Sequence, residues 1–331
     1  MSGKALSIKN ESKISFLAKE ISEFIKRGSS TAEKLSATLR EIKAQTGIKT
    51  LKDLEQSHIN NMITGLKNNV SSKTMSLSNA NSYISSINNI VRYLDRDDLH
   101  VIKASDFGLS RNISEKDGIN KENSRESAAA FKTWLDQKYA QTNDLRYVSL
   151  KHAVNIQSVN LRLRESLQIK LLNKDLSENI LKVSAKGDGS KNSREREIKL
   201  NSEQKNTLLE AKAFLKENHL KNLNIGTIKQ GRNFANNILK SFRAETNLYF
   251  HYHGERHWTA HEAYKEAWLN KGYQIECRAR TGGGKAEWLG GILEKTGLSK
   301  PEFQTMDKEI RQEISRNLGH ERIEITNRYL G

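Results

Sequence analysis

Tyrosine, arginine and histidine residues in the second half of the chain have the side-chain chemistry needed to transfer a phosphate diester. Tyr329 is the candidate nucleophile, because its phenolic oxygen can form a covalent bond to phosphorus. Arginine is suited to hold the non-bridging oxygens, since its planar guanidinium stays charged and offers paired donors. Histidine or lysine can give a proton to the departing oxygen near neutral pH. Such a set needs no metal ion, and the energy kept in a phosphotyrosine bond removes the need for ATP in rejoining.

The charge of the chain favours a polyanionic partner. Among 331 residues, 55 Lys and Arg face 39 Asp and Glu, which gives a formal net charge of +16. No segment approaches the roughly 20 apolar residues of a membrane-spanning helix, and the first residues lack a secretory hydrophobic region. We therefore expect a soluble, cytoplasmic, nucleoid-associated protein. Its single cysteine, Cys277, excludes an internal disulfide framework and a structural zinc site built on thiolates.

The first third of the chain has the 3.6-residue period of amphipathic helices. The clearest stripe, in residues 83–94, places six apolar side chains on one helix face, with Ser78 or Asn79 as the N-cap. We predict an all-helical first domain over residues 1–105. Residues 106–124 are polar and contain several Gly and Asn, which is typical of a linker.

The second domain, residues 125–331, is predicted to be α+β and mostly helical. Alternating patterns in residues 181–184 and 197–200 flank a turn rich in Gly, Ser and Asn at residues 186–193. This arrangement predicts a β-hairpin, and hence one small sheet.

The order of the chemically suited residues resembles that of the tyrosine recombinases of the phage-integrase family, in a divergent form. Four boxes carry the resemblance: Leu161–Glu165, Arg196–Leu200, His253–His257 and Leu318–Tyr329. They contain Arg-x-x-Glu, the end of a lysine-bearing hairpin, His-x-x-Arg, and a Gly-His pair with a tyrosine nine residues after the histidine. A single box has little weight, whereas the complete order in one basic chain is specific.

The resemblance implies a helical, SAM-like core-binding domain in residues 1–105 and a catalytic domain after the linker. It implies a site-specific recombinase or integrase that cleaves and rejoins duplex DNA through a 3′-phosphotyrosine, for integration or excision of a mobile element. It also implies a tetramer assembled on DNA and no cofactor or metal. An accessory DNA-bending protein is a further candidate partner.

The resemblance assigns individual roles as well. Tyr329 would attack the phosphate, and Lys186 would protonate the leaving 5′ oxygen, with Lys191 as the second choice for that role. Glu165 would support the site. Four residues would hold the scissile phosphate: Arg162, Arg256, His253 and His320.

Several features depart from the family pattern. Glu255 stands where an apolar residue is usual, Gly254 precedes it, and the hairpin box lacks its usual proline. Sixty-four positions separate Arg256 from His320, which indicates an insertion at about 272–306, and we expect it to contact protomers or DNA.

Two alternative functions remain open at this stage. The protein could keep the fold and bind DNA without cutting it, or it could relax supercoiled DNA as a type IB topoisomerase does. Histidines at positions 253, 257 and 261 repeat every four residues and could line one helix face, but their order lacks the His-Glu-x-x-His pattern of a zinc site. We therefore predict no metal there.

Overall fold

The computed structural model describes residues 6–26, 29–110, 120–184, 187–189, 195–320 and 323–331. The chain divides into two compact units, Met1–Ile113 and Ser114–Gly331. The described parts are mainly α-helical with one two-stranded antiparallel sheet, which confirms the predicted fold class. Over these same ranges, no helix is both long and apolar enough to cross a membrane.

The first unit is helical in its described residues. Its elements are α1 (Glu11–Phe24), α2 (Ser29–Thr46), α3 (Gln56–Ser71) and α4 (Leu77–Leu94), with 3₁₀ turns at Leu51–Asp53 and Ala104–Phe107. One continuous apolar core joins all four helices. Such a core follows from the stripe that each helix turns inward.

Helix α4 begins earlier than its sequence pattern predicted. The N-cap is Ser76, whose hydroxyl accepts a hydrogen bond from the backbone N–H of Asn79. The prediction of Ser78 or Asn79 was wrong, because polar residues in the first turn hide a helix start from the apolar period. The predicted stripe in residues 83–94 does face the core, and only Tyr83 among its six apolar members is partly exposed.

The second unit carries the remaining elements. These are α5 (Arg125–Thr142), α6 (Leu145–Asn155), α7 (Leu163–Gln168), β1 (Ile180–Val183), β2 (Arg196–Lys199), α8 (Ser202–Glu217), α9 (Ile228–Thr246), α10 (Tyr252–Leu269), α11 (Arg278–Thr281), α12 (Lys285–Thr296), α13 (Lys300–Asn317) and α14 (Ile323–Leu330), with 3₁₀ turns at Ile156–Val159 and Leu171–Asn173.

The predicted hairpin is confirmed, with each strand one residue earlier than its pattern indicated. Leu181 pairs with Ile198 on the buried face. Lys182 pairs with Glu197 on the exposed face, where their charged groups lie 3.4 Å apart. This alternation of buried and exposed pairs is the period of two that the sequence showed.

Helix α10 packs against α13, α14 and the 3₁₀ turn at Ile156–Val159. Trp268 is fully buried and stacks on Phe303 of α13, with ring centroids 5.2 Å apart. Tyr264 is also buried and donates a hydrogen bond of 2.6 Å to Asp307. The C-terminal half of α10 is thus packed firmly against α13. Its first two turns carry His253 and Arg256.

The segment proposed as an insertion, residues 272–306, contains α11, α12 and the first residues of α13. The indole N–H of Trp288 donates to the carbonyl of Glu276, and its ring meets Phe303 edge-on at 5.8 Å. This segment therefore shares the core formed by α10 and α13.

Candidate active site

Arg256 is the centre of the candidate site and lies fully buried on the second turn of α10. Its guanidinium donates hydrogen bonds to the backbone carbonyls of Asn160 and Leu318. Its Nε–H donates to the hydroxyl of Tyr329 over 3.3 Å. Burial lowers the pKa of Arg256 to about 10, so the side chain stays charged at neutral pH. One arginine thereby joins the segment before α7, the end of α13 and helix α14.

Tyr329 lies on the last turn of α14 and is only 5% exposed. Besides the bond from Arg256, its hydroxyl lies 2.9 Å from Nε2 of His253. Its ring stacks on His257, with centroids 4.3 Å apart and an interplanar angle of 23°. The hydroxyl is therefore held between a cation and an imidazole, which is an arrangement that can activate a phenol.

Arg162 is held at the N-terminus of α7 by Glu165. The backbone N–H of Arg162 donates to this carboxylate over 2.7 Å, and its guanidinium donates over 3.0 Å. Glu165 is fully buried and also accepts two hydrogen bonds from Arg196, of 3.1 and 2.9 Å. Burial raises the pKa of Glu165, but the hydrogen bond and charge of Arg196 and the charge of Arg162 outweigh it, and the pKa is lowered. The carboxylate is thus charged and fixes both arginines.

His320 follows α13 through a turn that only glycine fits. Gly319 has φ of +63°, and a Cβ there would lie 2.9 Å from Cδ of Arg196. The close approach packs the turn onto β2 and places His320 in a buried position, with Nδ1 3.1 Å from the hydroxyl of Thr326. Its ring lies 5.3 Å from that of Tyr329.

Both predicted histidines are neutral at physiological pH. Desolvation, followed by the charges of Arg256 and Arg162, lowers the pKa of His253 to about 4 and that of His320 to about 3. The same two arginines act on both rings, so these four residues lie within electrostatic range of one another. The residue His253 is nevertheless exposed overall.

Six of the predicted site residues come together in this way: Arg162, Glu165, His253, Arg256, His320 and Tyr329. The two lysine candidates, Lys186 and Lys191, lie outside the described residues. The nearby Asp188 is buried and accepts hydrogen bonds from the backbone N–H groups of Lys170 and Ser184, of 3.1 and 2.8 Å. The described part of the hairpin turn is thereby attached to the body of the second unit.

The structure also explains why Gly254 and Glu255 depart from the family pattern. Asn123 makes two hydrogen bonds of 3.0 Å to the backbone of His251 and a third, of 2.8 Å, to the carboxylate of Glu255. The same carboxylate pairs with Arg125 at 3.1 Å. A side chain at position 254 would collide with Asn123, because a Cβ there would lie 2.5 Å from its Oδ1. Sequence reasoning placed Asn123 in the linker and missed this contact, although the unusual Gly-Glu pair was its signal.

Alanine in place of Gly254 is expected to lower the free energy of unfolding by about 1–3 kcal/mol, because the added methyl must displace the amide of Asn123. Urea denaturation would measure the change. Gly290 on α12 provides the matched control, since nothing lies within 4 Å of a Cβ built there. Gly290→Ala should stabilise by up to about 1 kcal/mol, as helix propensity predicts. Equal effects of the two substitutions would contradict the packing described here.

The three histidines spaced four apart on α10 all contact Tyr329. The ring centroids of His253 and His257 lie 5.2 Å apart, and those of His257 and His261 lie 6.1 Å apart. Among the residues that the structure describes, no group of three or more His, Cys, Asp or Glu could hold a metal ion. The role of His257 and His261 was not predicted from the sequence.

Comparisons with known proteins find similarity in structure only. The sequence matches no protein-family profile and no curated protein. The structure is similar to the Tn1549 transposon integrase in complex with transposon right end DNA, with a TM-score of 0.57 and 13% identity over 96% of this chain and 94% of that one. It is also similar to XerH site-specific recombinase bound to a palindromic difH substrate, with a TM-score of 0.54 and 14% identity over 97% of this chain and 80% of that one.

These similarities extend over nearly the whole chain and include both units. At such low identity they establish the fold, and the protein has the two-domain fold of the tyrosine recombinases. The resemblance inferred from four short boxes is thus confirmed at the level of the fold.

Proposed function

We propose that this protein is a site-specific DNA recombinase that cleaves and rejoins duplex DNA through a 3′-phosphotyrosine on Tyr329. The observation that carries the proposal is the position of the Tyr329 hydroxyl, 3.3 Å from Nε of Arg256 and 2.9 Å from Nε2 of His253. A tyrosine that served only to pack the C-terminal helix would not need its hydroxyl between a buried guanidinium and an imidazole.

The proposed reaction exchanges one phosphate ester bond for another. The oxygen of Tyr329 attacks phosphorus, and the bond to the 5′ oxygen breaks. Because His253 is neutral, its Nε2 can accept the phenolic proton as the new bond forms. Lys186 would return a proton to the 5′ oxygen. Rejoining is the reverse, so the proton balance closes without a metal or nucleotide.

The phosphate is proposed to lie against the two arginines and His320. Arg162 is the more accessible arginine, with 25% of its side chain exposed, and can offer its charge to an incoming phosphate oxygen. Arg256 supplies positive charge from the protein interior, where burial strengthens its electric field. Glu165 acts indirectly by fixing the orientation of Arg162.

The proposed substrate is double-stranded DNA, which the net charge of +16 favours. The similar Tn1549 integrase and XerH structures are complexes with DNA. We further propose assembly of four protomers on the DNA, because the exchange of two pairs of strands needs four tyrosines. Integration or excision of a mobile element, with help from a DNA-bending protein, is the biological role that we propose for this exchange.

The test is the covalent intermediate itself. Candidate attachment sites from the DNA flanking the gene would carry a nick that traps the intermediate, and would be incubated with wild type and Tyr329→Phe without metal or ATP. We expect a protein–DNA adduct with wild type only. Specific binding of such sites without any adduct would overturn the proposal and favour a DNA-binding protein that does not cut. Adduct formation with relaxation of a plasmid that contains one site would instead favour a topoisomerase.

A further inference from the structure

His261 is fully buried on α10 and lies between two hydrogen-bond acceptors. Its Nε2 is 2.6 Å from the backbone carbonyl oxygen of Tyr329, and its Nδ1 is 3.0 Å from the carboxylate of Glu122. The carbonyl oxygen cannot donate, so Nε2 carries a proton, and Nδ1 carries one as well while Glu122 is ionised. The ring is therefore an imidazolium. Its positive charge interacts with the carboxylate of Glu122 and with the C-terminal end of α14.

The carboxylate of Glu122 is fixed by a second cation. Arg280 of α11 donates to it from Nε over 3.1 Å and from a terminal nitrogen over 2.9 Å. Burial raises the pKa of Glu122, but the hydrogen bonds from His261 and Arg280 outweigh it and lower the pKa to about 2. Burial lowers the pKa of His261, whereas its hydrogen bonds to Cys277 and Glu122 raise it, and the net result is about 9. The pair is thus ionised at neutral pH.

The acceptor on Tyr329 is one of the last four carbonyls of α14, which have no partner within the helix. These carbonyls form the negative end of the helix dipole, where a positive charge is stabilising. His261 therefore caps the helix that carries the proposed nucleophile. A second contact, from Arg311 to Asn327 over 3.0 Å, ties α14 to α13 instead. The contacts with α10 fix Tyr329 relative to Arg256 and His253, which lie on that helix.

Three histidines of α10 contact three different parts of Tyr329. His261 holds its carbonyl, His257 stacks on its ring, and His253 meets its hydroxyl. The first and last of these are eight residues apart, which corresponds to about 12 Å along a helix. The tyrosine is thus aligned along two turns of the helix that also carries Arg256.

We propose that His261 is a positioning residue: it anchors the C-terminal end of α14 to α10 and to Glu122, so that the hydroxyl of Tyr329 stays at Arg256 and His253 of its own chain. The proposal rests on the proposed strand transfer for its effect on rate. The anchoring itself does not depend on any reaction. A loosened helix would displace the attacking oxygen, and a displacement of about 1 Å can cost about 100-fold in rate.

The test compares three single variants of the full chain on the nicked duplex that wild type cleaves. His261→Gln keeps one donor and removes the charge. Glu122→Gln removes the charge of its partner. Glu262→Gln is the matched control, because the Glu262 side chain pairs with Arg280 at 2.6 Å and, among the described residues, forms no hydrogen bond to the His261 ring. Single-turnover adduct formation at saturating DNA and the Kd for the same DNA would be measured separately.

We expect His261→Gln to lower the cleavage rate by about 10- to 100-fold with an unchanged Kd. Glu122→Gln should change the rate in the same direction by a smaller factor, and Glu262→Gln should match wild type. If His261→Gln fails to fold, Glu122→Gln takes its place in the test, since Glu122 is partly exposed. Cleavage at the wild-type rate by the folded His261 and Glu122 variants would overturn the proposal.

The ratio of the wild-type rate to that of His261→Gln should also depend on pH. The charge of His261 is present below a pKa of about 9 and is lost above it, so the ratio should be large from pH 7 to 8 and fall toward 1 by about pH 10. The groups that face His261 are Glu122, Cys277, Arg280, His257 and Tyr329. Because the ionisation of these neighbours is coupled to that of His261, the fall in the ratio reports the titration of the cluster as a whole. A ratio that stays constant through pH 9 would contradict a role for the charge.

Amide hydrogen exchange separates this proposal from the proposed function. Residues 323–330 should exchange faster in His261→Gln than in wild type, while α13 remains unchanged. If wild type forms no adduct on any bound site but exchange rises as expected, the anchoring stands and the strand-transfer proposal fails. If exchange in residues 323–330 is unchanged, the anchoring proposal fails, whatever the activity.

Discussion

Lysine in place of Arg256 is expected to lower the rate of strand cleavage by about 100- to 1,000-fold, even though the charge is kept. Arg256 donates at once to the carbonyls of Asn160 and Leu318 and to the hydroxyl of Tyr329. An ammonium group at the end of a flexible chain cannot reproduce the flat geometry of these three bonds. Tyr329 would lose its cationic partner, and the turn before His320 would lose its anchor.

Single-turnover adduct formation at saturating DNA would measure this effect. Arg164→Lys is the matched control, because Arg164 is exposed and its side chain bonds to Gln168 at 2.9 Å. That variant should cleave at nearly the wild-type rate. An Arg256→Lys enzyme that retained more than about a tenth of the wild-type rate would contradict the proposed role, since oxyanion donors normally contribute more than this.

Glutamine in place of Glu165 is expected to lower the free energy of unfolding by about 3–5 kcal/mol, because it leaves the buried charge of Arg196 without its counterion. The Arg196 side chain is 6% exposed, and that of Glu165 is 0% exposed. Urea denaturation at pH 7 would measure the loss. Glu197→Gln is the control, since Glu197 pairs with Lys182 on the exposed face of the hairpin and should contribute at most about 1 kcal/mol.

The stability difference between wild type and Glu165→Gln should depend on pH in a defined direction. The pKa of Glu165 is lower in the folded state than the ordinary value of 4.5, so its contribution is complete above about pH 4.5. The contribution is lost as the pH falls through the folded-state value. The two proteins should therefore approach each other in stability under acid conditions. A difference that grows with acidification would show that Arg196 is stabilised in some other way.

Much of the site was predictable because short sequence boxes carry their own local geometry. Arg162 and Glu165 are three apart and meet across the first turn of α7. His253 and Arg256 are also three apart, so they lie on the same side of the first turns of α10, with His253 exposed and Arg256 buried. The two-residue period of the hairpin strands gave the sheet and its buried face.

Other features depend on contacts between distant segments, and no local pattern indicates them. Asn123 and Glu122 belong to a polar stretch that resembles a linker, yet they bind residues of α10 more than 125 positions later. The start of α4 was also misplaced, because Ser76 caps it ahead of the apolar stripe. Side-chain amides and carboxylates acquire these roles only when the chain folds back on itself.

The sequence by itself determined the chemistry available to this protein: a tyrosine, two arginines and two histidines in a recognisable order on a strongly basic chain. Only the tertiary structure decided how the tyrosine is held. The three histidines of α10 have a spacing that a metal site could use. In the folded protein, α14 lies beside them and His261 contacts the backbone carbonyl of Tyr329. The physical reason is that spacing along a helix fixes which side chains share a face, whereas the acceptor that each one meets is supplied by another part of the chain.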